Sequence, residues 1–414
     1  MTIIPSLLGR ASWCAVPLLL CLCALLPRAV DARTLAEAVE AAQTHLPERM
    51  IGEERAQWAQ AQHRRAQTAL AAPVELRLGQ RGFGQGAAHG VSETELGLGL
   101  FLPRPGQNAL LERLADQSRR EADESRMWVR WQAAGVVREA LWALRREQAR
   151  LALAEQAVET AKELVAQLAR RVRLGEAPVG DETLARSEWL RERALLAEVR
   201  AAALAAQAVW LRLTGDAALP ADAEEFLSEV PPDAHPARRL ARAAIERAVL
   251  DLELRRKEGA GAPVLEVGVR NERASTGADW GKSVFVNLSL PLPSPGHEAP
   301  RVLPAEQART EALMALERFE YEQAREQARL DALLAASAEA LQLAVEREQL
   351  AALQLRREEK SLVLGEVDMD RLLRMRRAWR EAALEVAERR VAGFALIAQR
   401  NQWMGDVPRS GDRP

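Results

Sequence analysis

Two short acidic turns hold the residues of this chain that could do chemistry. The first spans 175–181 and contains Glu176 and Asp181; the second spans 365–370 and contains Glu366, Asp368 and Asp370. Carboxylates brought together around an axis would form a negative constriction, which favours cations and resists full ionisation. Carboxylates at helix N-termini also interact favourably with the helix macrodipole. The sequence is compatible with either role for these side chains, and with both at once.

The remaining polar residues do not form a catalytic pattern. The histidines are scattered without metal-ligand spacing: His45, His63, His89, His235 and His297. His45 and His235 lie 190 positions apart, and we interpret them as structural residues near a helix start. The glycine-rich stretch 82–86 lacks the lysine and the following helix of a phosphate-binding loop, so we interpret it as a surface loop. We therefore predict a protein that is not an enzyme, with no catalytic residue, no metal ligand and no cofactor.

A repeat at a fixed offset of 190 residues determines the predicted architecture. Matches such as Pro73/Pro263, Gly175/Gly365 and Trp189/Trp379 need no gap, and many of them are the Pro and Gly that punctuate a fold. The repeat predicts a tandem duplication, with a first copy over 33–214, a linker over 215–232, a second copy over 233–403 and a C-terminal tail over 404–414.

The N-terminal segment 1–32 is predicted to be a secretory signal. Arg10 precedes an apolar stretch over 15–26, and small residues flank a cleavage site at Ala32. The apolar stretch is too short for a membrane-spanning helix of about 20 residues. All three cysteines lie inside this segment, so the mature chain is expected to have neither disulfides nor thiols.

The composition favours long helices over compact globular domains. Ala, Leu, Arg and Glu dominate, and there is one Tyr. The chain carries 57 Lys and Arg against 59 Asp and Glu, and this balance argues against a nucleic-acid partner.

Each copy is predicted to contain a β-hairpin with one aliphatic face. Residues alternate with a period of two over about 74–82 and 93–102, and again over about 264–272 and 283–292. The opposite face carries Gly, Asn, Ser, Glu and Arg. Strands of 9 to 11 residues suit a tilted crossing of a membrane, although a ribbon lying on a soluble core would show the same alternation. The predicted lipid-facing residues are Leu96, Leu98, Leu100, Val284, Val286, Leu288 and Leu290.

Long helices are predicted on either side of each hairpin. One helix is expected over 34–70, with Thr34 and Glu37 as a capping box, and another over 107–172, about 100 Å long at 1.5 Å per residue. Apolar residues from Leu151 to Val172 keep a coiled-coil spacing. Returning helices are expected over 181–213 and 369–402.

Proline and glycine mark the points where strands become helices. Proline ends strand pairing and glycine permits a sharp change of direction, so we interpret these positions as corners between sheet and helices. They are Pro103, Pro105, Gly106, Pro293, Pro295 and Gly296.

These features resemble the TolC-type family of outer-membrane factors. The resemblance covers the whole mature chain: the opening segment 35–39 with Pro47 downstream, the duplicated hairpins, and the Leu-Gly-Glu turns at 174–176 and 364–366. The stretch 286–296 looks most like the heavy-metal efflux branch, which is associated with cobalt, zinc and cadmium. It departs from that branch at 294–297, where Ser-Pro-Gly-His replaces an Arg-Asn-Gln-Gly-like stretch.

The resemblance implies the assembly and its partners. The expected fold is mainly α with a small β part, with coiled-coil hairpins and four transmembrane strands per chain that close in a homotrimer to a barrel and a helical tunnel. The channel would lie in the outer membrane of a Gram-negative bacterium, be surrounded by its lipid and extend into the periplasm. Its partners would be a periplasmic adaptor and an inner-membrane pump of the resistance-nodulation-division type.

The resemblance also assigns roles to the acidic turns. They would form the periplasmic tip, with aperture candidates Asp181, Asp368, Asp370, Glu176 and Glu366. The predicted adaptor contacts are Gly175, Val179, Gly180, Gly365 and Val367. The expected function is passive conduction of metal cations or other small molecules to the exterior. Two alternatives remain at this stage, the exit duct of a type I protein secretion system and a soluble periplasmic coiled-coil adaptor.

Overall fold

The computed structural model describes residues 34–82, 92–274, 278–364 and 368–409. The predicted signal peptide, the glycine-rich loop beyond residue 82 and part of the second tip turn lie outside these residues. The helices are α1 (Leu35–His45), α2 (Arg49–Ala66), α3 (Gln107–Arg173), α4 (Val179–Thr214), α5 (Pro236–Glu258), α6 (Pro295–Leu364) and α7 (Met369–Trp403). The strands are β1 (Glu75–Gly82), β2 (Ser92–Phe101), β3 (Val264–Arg273) and β4 (Gly281–Ser289). This order confirms the predicted fold class, which is mainly α with a small antiparallel sheet.

The N-terminal helix differs from the prediction because it is divided in two. The capping box is confirmed: Glu37 N–H donates to Thr34 Oγ1 at 3.3 Å, and Thr34 N–H donates to the Glu37 carboxylate at 3.1 Å. The single helix over 34–70 is wrong, since α1 ends at His45. Leu46, which precedes Pro47, adopts an extended conformation (φ −83°, ψ 138°), as a residue before proline prefers. His45 therefore ends a helix instead of lying near the start of one.

The four strands form one antiparallel sheet in the order β1-β2-β3-β4. Leu98 is opposite Leu76 on one side and Val267 on the other, and Val267 is opposite Val286. The two repeats thus pair with each other through β2 and β3. Strands β1 and β4 form the two edges, and neither has a partner on its outer side among the described residues.

The helices form two hairpins that run side by side. α3 packs along its returning partner α4 and α6 along α7, while α3 also contacts α7. Of the predicted seam, Ala154, Ala161 and Leu168 are buried. The lateral order of the long helices is α4-α3-α7-α6, although α4 also contacts α7 near the tips, and nearer the sheet the order is α2-α3-α5-α6.

A buried core lies where α1, α3, α4 and α7 meet the linker between the repeats. Trp210, Leu141 and Val39 are at most 1% exposed there. Arg138 is also buried; its guanidinium donates to the Glu225 carboxylate of the linker at 2.7 Å and to Asp406 near the C-terminus at 3.0 Å. The linker and the C-terminal segment are therefore fixed to the middle of the helical bundle.

Candidate functional site

One face of the sheet is a continuous band of exposed aliphatic side chains. Leu98 is 48% exposed, Val286 64% and Leu288 57%, and Leu96 and Val284 are exposed beside them. Leu100 is half-buried. β4 ends at Ser289, so Leu290 lies just beyond the strand, because the following Pro291 has no amide hydrogen to continue the ladder. Six of the seven predicted residues thus lie in strands, on the aliphatic face.

The opposite face of the sheet carries a ladder of ion pairs that was not predicted. The Arg270 guanidinium lies 2.6 Å from both Glu93 and Glu95, and Arg77 lies 3.4 Å from Glu266. These contacts connect β1, β2 and β3 across the sheet. The alternation of charged residues indicated a polar face, but which charges would pair depends on the register.

Glycines on this polar face make room for an aromatic ring. Gly97 and Gly268 are opposite each other in β2 and β3. A Cβ on Gly268 would lie 2.6 Å from the Phe285 ring and 2.5 Å from the Leu96 carbonyl oxygen, so glycine is required at this position. The ring of Phe285 covers both glycines, and Arg270 lies over it with its Cζ 5.6 Å from the ring centroid.

The corner of the first repeat is a tight turn between β2 and α3. Gly106 has a left-handed conformation (φ 75°), which glycine adopts readily, and it precedes the helix directly. Arg104, which the sequence did not single out, donates to the carbonyl oxygens of Gly261 at 2.9 Å and Pro291 at 3.1 Å. It therefore connects the corners of both repeats.

The corner of the second repeat has a different structure. α6 begins at Pro295, so Pro295 and Gly296 belong to the first helical turn and only Pro293 lies in the connection. Proline suits the first position of a helix, where its missing N–H leaves no bond unmade. Ser294 precedes the helix, and its N–H donates to the Glu298 carboxylate at 3.1 Å.

The first tip turn joins α3 to α4. Gly175 has φ 75°, its N–H donates to the Val172 carbonyl at 3.0 Å, and Glu176 N–H donates to that of Arg171 at 2.8 Å. Val179 begins α4 and is 68% exposed, and Gly180 is also exposed. Asp181 lies in the first turn of α4, where its charge favours the helix N-terminus.

The second tip turn is only partly described, since Gly365, Glu366 and Val367 lie outside the described residues. Asp368 is the N-cap of α7 and accepts a hydrogen bond from Asp370 N–H at 3.1 Å. The Asp370 carboxylate pairs with Arg374 one turn further along α7. Both carboxylates therefore lie at the N-terminus of α7, where negative charge interacts favourably with the helix macrodipole.

Ion pairs of a buried carboxylate with two half-exposed arginines connect the two hairpins above the tips. Glu188 of α4 accepts hydrogen bonds from Arg191 on its own helix and Arg377 on α7, each at 2.5 Å. Burial favours a raised pKa for Glu188, but the hydrogen bonds from the two arginines outweigh it and hold the pKa below its usual value. Below these pairs, Leu164, Leu168, Leu372 and other apolar residues form a cluster shared by all four long helices. Sequence reasoning did not find these contacts, since they depend on how the helices pack.

His235 caps a helix and packs between two aromatic rings. It is the N-cap of α5, where its Nδ1 accepts from Ala237 N–H at 3.1 Å, and it packs between Trp131 and Phe319. Burial lowers its pKa to about 4. No group of three or more potential metal ligands occurs among the residues that the structure describes.

α4 has the composition of a membrane helix but lies on the side of the bundle. It contains an 18-residue window with a mean hydropathy of 1.4, of which 17% is buried. No other helix in the described part of the chain is both long enough and apolar enough to cross a membrane. Its apolar side chains are thus available at the edge of the helical array.

Comparison with solved structures assigns the fold. VceC, an outer membrane protein of Vibrio cholerae, is 15% identical and covers 90% of this chain and 96% of that one, with a TM-score of 0.67. The CmeC outer membrane channel of Campylobacter jejuni is 14% identical over 90% of this chain and 85% of that one, with a TM-score of 0.66. The MtrE outer membrane channel of Neisseria gonorrhoeae is 15% identical over 90% and 89%, with a TM-score of 0.64. The chain therefore has the fold of outer-membrane channel proteins. No protein-family model and no curated protein sequence matches it.

Proposed function

We propose that this chain is one subunit of a homotrimeric outer-membrane channel of the TolC type. The channel passively conducts substrate from a periplasmic adaptor and an inner-membrane pump to the exterior. The observation that carries the proposal is the sheet. It has an exposed aliphatic face, a charged opposite face and two open edges, and it continues directly into helices about 100 Å long.

The open edges support closure by further copies of the chain. Unpaired backbone groups at a sheet edge in lipid cost several kcal/mol each, so a four-stranded sheet cannot stay open there. β1 and β4 differ, and their antiparallel order lets β4 of one copy pair with β1 of the next. Such a heterologous contact generates a ring where the rotation between neighbouring copies closes. Three copies give the twelve strands expected from the family resemblance.

The helices have open edges on the same two sides as the sheet. α4 ends the array on one side and α6 on the other. α6 exposes several leucines, with Leu343 at 58% and Leu350 at 63%, opposite in position to the apolar surface of α4. In the ring, these surfaces of neighbouring copies bury each other.

The tip and its acidic residues support the assignment of partners. In this proposal the turn containing Gly175, Val179 and Gly180 and the equivalent turn over 365–367 contact the adaptor. Asp181 and the acidic residues of the second turn surround the aperture, where a negative ring favours cations. Metal cations or other small molecules are the proposed substrates, and a pump of the resistance-nodulation-division type supplies the energy.

Two neighbouring residues on opposite faces of β4 test the channel. Val286→Lys places a charge on the aliphatic face, which costs about 2–4 kcal/mol at the membrane midplane. Asn287→Lys places the same charge on the polar face, opposite Glu266. We expect outer-membrane fractions to contain a trimer on unheated gels for the wild type and Asn287→Lys, and much less of it for Val286→Lys. Equal yields for the two variants, or a soluble monomeric wild type, would refute the proposal.

The substrate class needs a separate measurement. Deletion of the gene is expected to sensitise cells to divalent metal ions, with resistance restored by the wild type and by Asn287→Lys. If deletion instead abolishes export of a polypeptide and leaves metal tolerance unchanged, the channel serves protein secretion. Absence of the trimer would therefore refute the channel, whereas unchanged metal tolerance would refute only the proposed metal substrate.

A further inference from the structure

The exposed aliphatic face of the sheet carries two charged residues, and both are cations. The pairing register and the alternation of side chains determine which residues belong to this face. Apart from Arg273, the last residue of β3, and Lys282, the second residue of β4, they are aliphatic, amide, hydroxyl or glycine residues. Every carboxylate of the four strands alternates to the polar face. The charge on the aliphatic face is therefore entirely positive.

Both cations lie at the rim of the sheet that is farthest from the helices. The strands join their helices at the other end, near Phe101 and Ser289. In the proposed channel the helices extend into the periplasm, so the rim with the cations faces the exterior, and this inference rests on that proposed function. Long cationic side chains at such a level keep their stems on apolar surface and their charges among lipid headgroups.

The two cations are close enough to share one anion. Lys282 is opposite Asn271, which makes it the diagonal neighbour of Arg273 on the same face. Diagonal neighbours lie about 7–8 Å apart, within reach of two long side chains. The Arg273 Cζ lies 5.1 Å from the centroid of the exposed Trp280 ring. Its Nε is enclosed, but its two terminal nitrogens are neither enclosed nor hydrogen-bonded within the described residues, and Lys282 is exposed.

No carboxylate neutralises this pair of cations within the part of the chain that the structure describes. Glu272 belongs to the polar face, and Asp279, which precedes β4, forms no ion pair with either cation. In the proposed ring, β1 of the next copy adjoins β4, and the residues of β1 on this face are uncharged. The positive charge is therefore available to an anion from outside the protein.

We propose that Arg273 and Lys282 bind a phosphate group of an anionic lipid in the outer leaflet. A guanidinium presents paired N–H donors to phosphate oxygens, and an ammonium adds a point charge. Val269 and Val284, which are 54% and 73% exposed, lie next to the cations on the aliphatic face and can contact the acyl chains. Trp280 suits the headgroup level, where amphipathic rings are enriched. A lipid satisfies the cations and the aliphatic face at once, whereas free phosphate satisfies only the cations.

Lipid binding to the purified full-length protein tests this inference. Diphosphorylated lipid A, an acylated sugar phosphate, is added in a nonionic detergent, and bound lipid is counted by native mass spectrometry. We expect saturable binding of up to three molecules per trimer, and weaker binding of lipid A without its phosphates. Lys282→Gln should weaken binding about fivefold and the double change with Arg273→Gln about 25-fold. The reason is that each cation near a membrane surface contributes about 1 kcal/mol, and 1.4 kcal/mol corresponds to about tenfold.

Arg81→Gln is the matched control. Arg81 lies at the same rim on the polar face, and its side chain is 72% exposed. The change removes an equal charge and should leave lipid binding unchanged. Arg273→Lys retains the charge and should restore most of the binding that Arg273→Gln loses.

The outcomes separate this site from the channel itself. Equal binding of the two lipid A forms, or equal weakening by Arg81→Gln and Lys282→Gln, would overturn the proposal. Displacement of the lipid by an equal concentration of inorganic phosphate would show a site for the free anion instead. Unheated gels of the same preparations report the trimer. A trimer whose lipid binding is unchanged in Lys282→Gln refutes this site alone, whereas a soluble monomer refutes the channel and the site together.

Discussion

The equivalent long helices α3 and α6 come from the same repeat pattern but occupy different positions in the subunit. α3 lies inside the array and contacts α2, α4, α5 and α7. α6 contacts α5 and α7 and ends the array. Correspondingly, α3 buries long runs of side chains, such as those between Ala133 and Leu144, whereas most side chains of α6 are exposed or half-buried. The two helices have similar lengths, and the topology places one in the core of the array and the other at its edge.

The two connections from strand to helix also differ. The first repeat turns sharply at Gly106, and Arg104 holds this corner against the second repeat. In the second repeat the helix begins at once at Pro295 and contains Pro300 and Pro304 in its first turns. Each internal proline removes a backbone hydrogen bond and favours a bend. The start of the edge helix is therefore less strongly fixed by its own backbone than that of the inner helix.

The largest expected effect is at Arg138 of α3. Arg138→Leu leaves the carboxylates of Glu225 and Asp406 without their cation, and removing one partner of a buried ion pair costs about 3–5 kcal/mol. Arg329→Leu on α6 is the control, because Arg329 is exposed and its ion-pair partner among the described residues is Glu326 on its own helix. Denaturant unfolding of the purified protein should show a large decrease in the free energy of unfolding for Arg138→Leu. For the control the decrease should be about 0.5 kcal/mol or less. Similar losses would contradict the distinction between inner and edge helix.

A smaller effect is expected from a pair of equivalent leucines. Leu144 of α3 is 1% exposed, and Leu334, its counterpart 190 positions later on α6, is half-buried in the single chain. Leu144→Ala is expected to lower the free energy of unfolding by about 2–5 kcal/mol. Leu334→Ala should cost clearly less, since it removes less buried surface. Equal losses in unfolding experiments on the trimer would show that a neighbouring copy buries Leu334 as completely as the core buries Leu144.

The sequence predicted the elements better than their contacts. Alternation of aliphatic and polar residues over 264–272 and the repeated Pro and Gly were sufficient to locate the strands and hairpins, because these signals are local. The division at Pro47 was missed, although a proline inside a predicted helix is itself a local signal. The ion pairs of Arg270 and Glu188 could not be predicted, because they depend on strand register and on the packing of one hairpin against the other. The roles of the aperture acids stay predictions, with Asp368 and Asp370 bound within their own helix.

The buried histidine predicts a pH effect confined to the core beside the linker. The pKa of His235 is about 4 in the folded protein against 6.5 in the unfolded chain, so unfolding takes up a proton between these values. The stabilisation from the neutral imidazole is complete above pH 6.5 and is lost as the pH falls toward 4. By pH 5 the free energy of unfolding has fallen by roughly 2 kcal/mol. His235→Gln should remove most of this dependence in unfolding experiments at pH 7 and pH 5. A wild-type stability that is equal at both pH values would contradict the assignment.

The smallest expected effect distinguishes the two acidic turns of the proposed aperture. Asp370 is paired with Arg374, whereas Asp181 has no ion-pair partner among the described residues, so Asp181 contributes the larger net field. Two charges 4 Å apart interact by about 1 kcal/mol in water, which corresponds to about a fivefold change in the preference for cations. Reversal potentials of single channels in a KCl gradient should therefore shift for Asp181→Asn and change little for Asp370→Asn. The shift should shrink at high salt because mobile ions screen exposed charges. A larger shift for Asp370→Asn would place the aperture at the second turn and remove Asp181 from it.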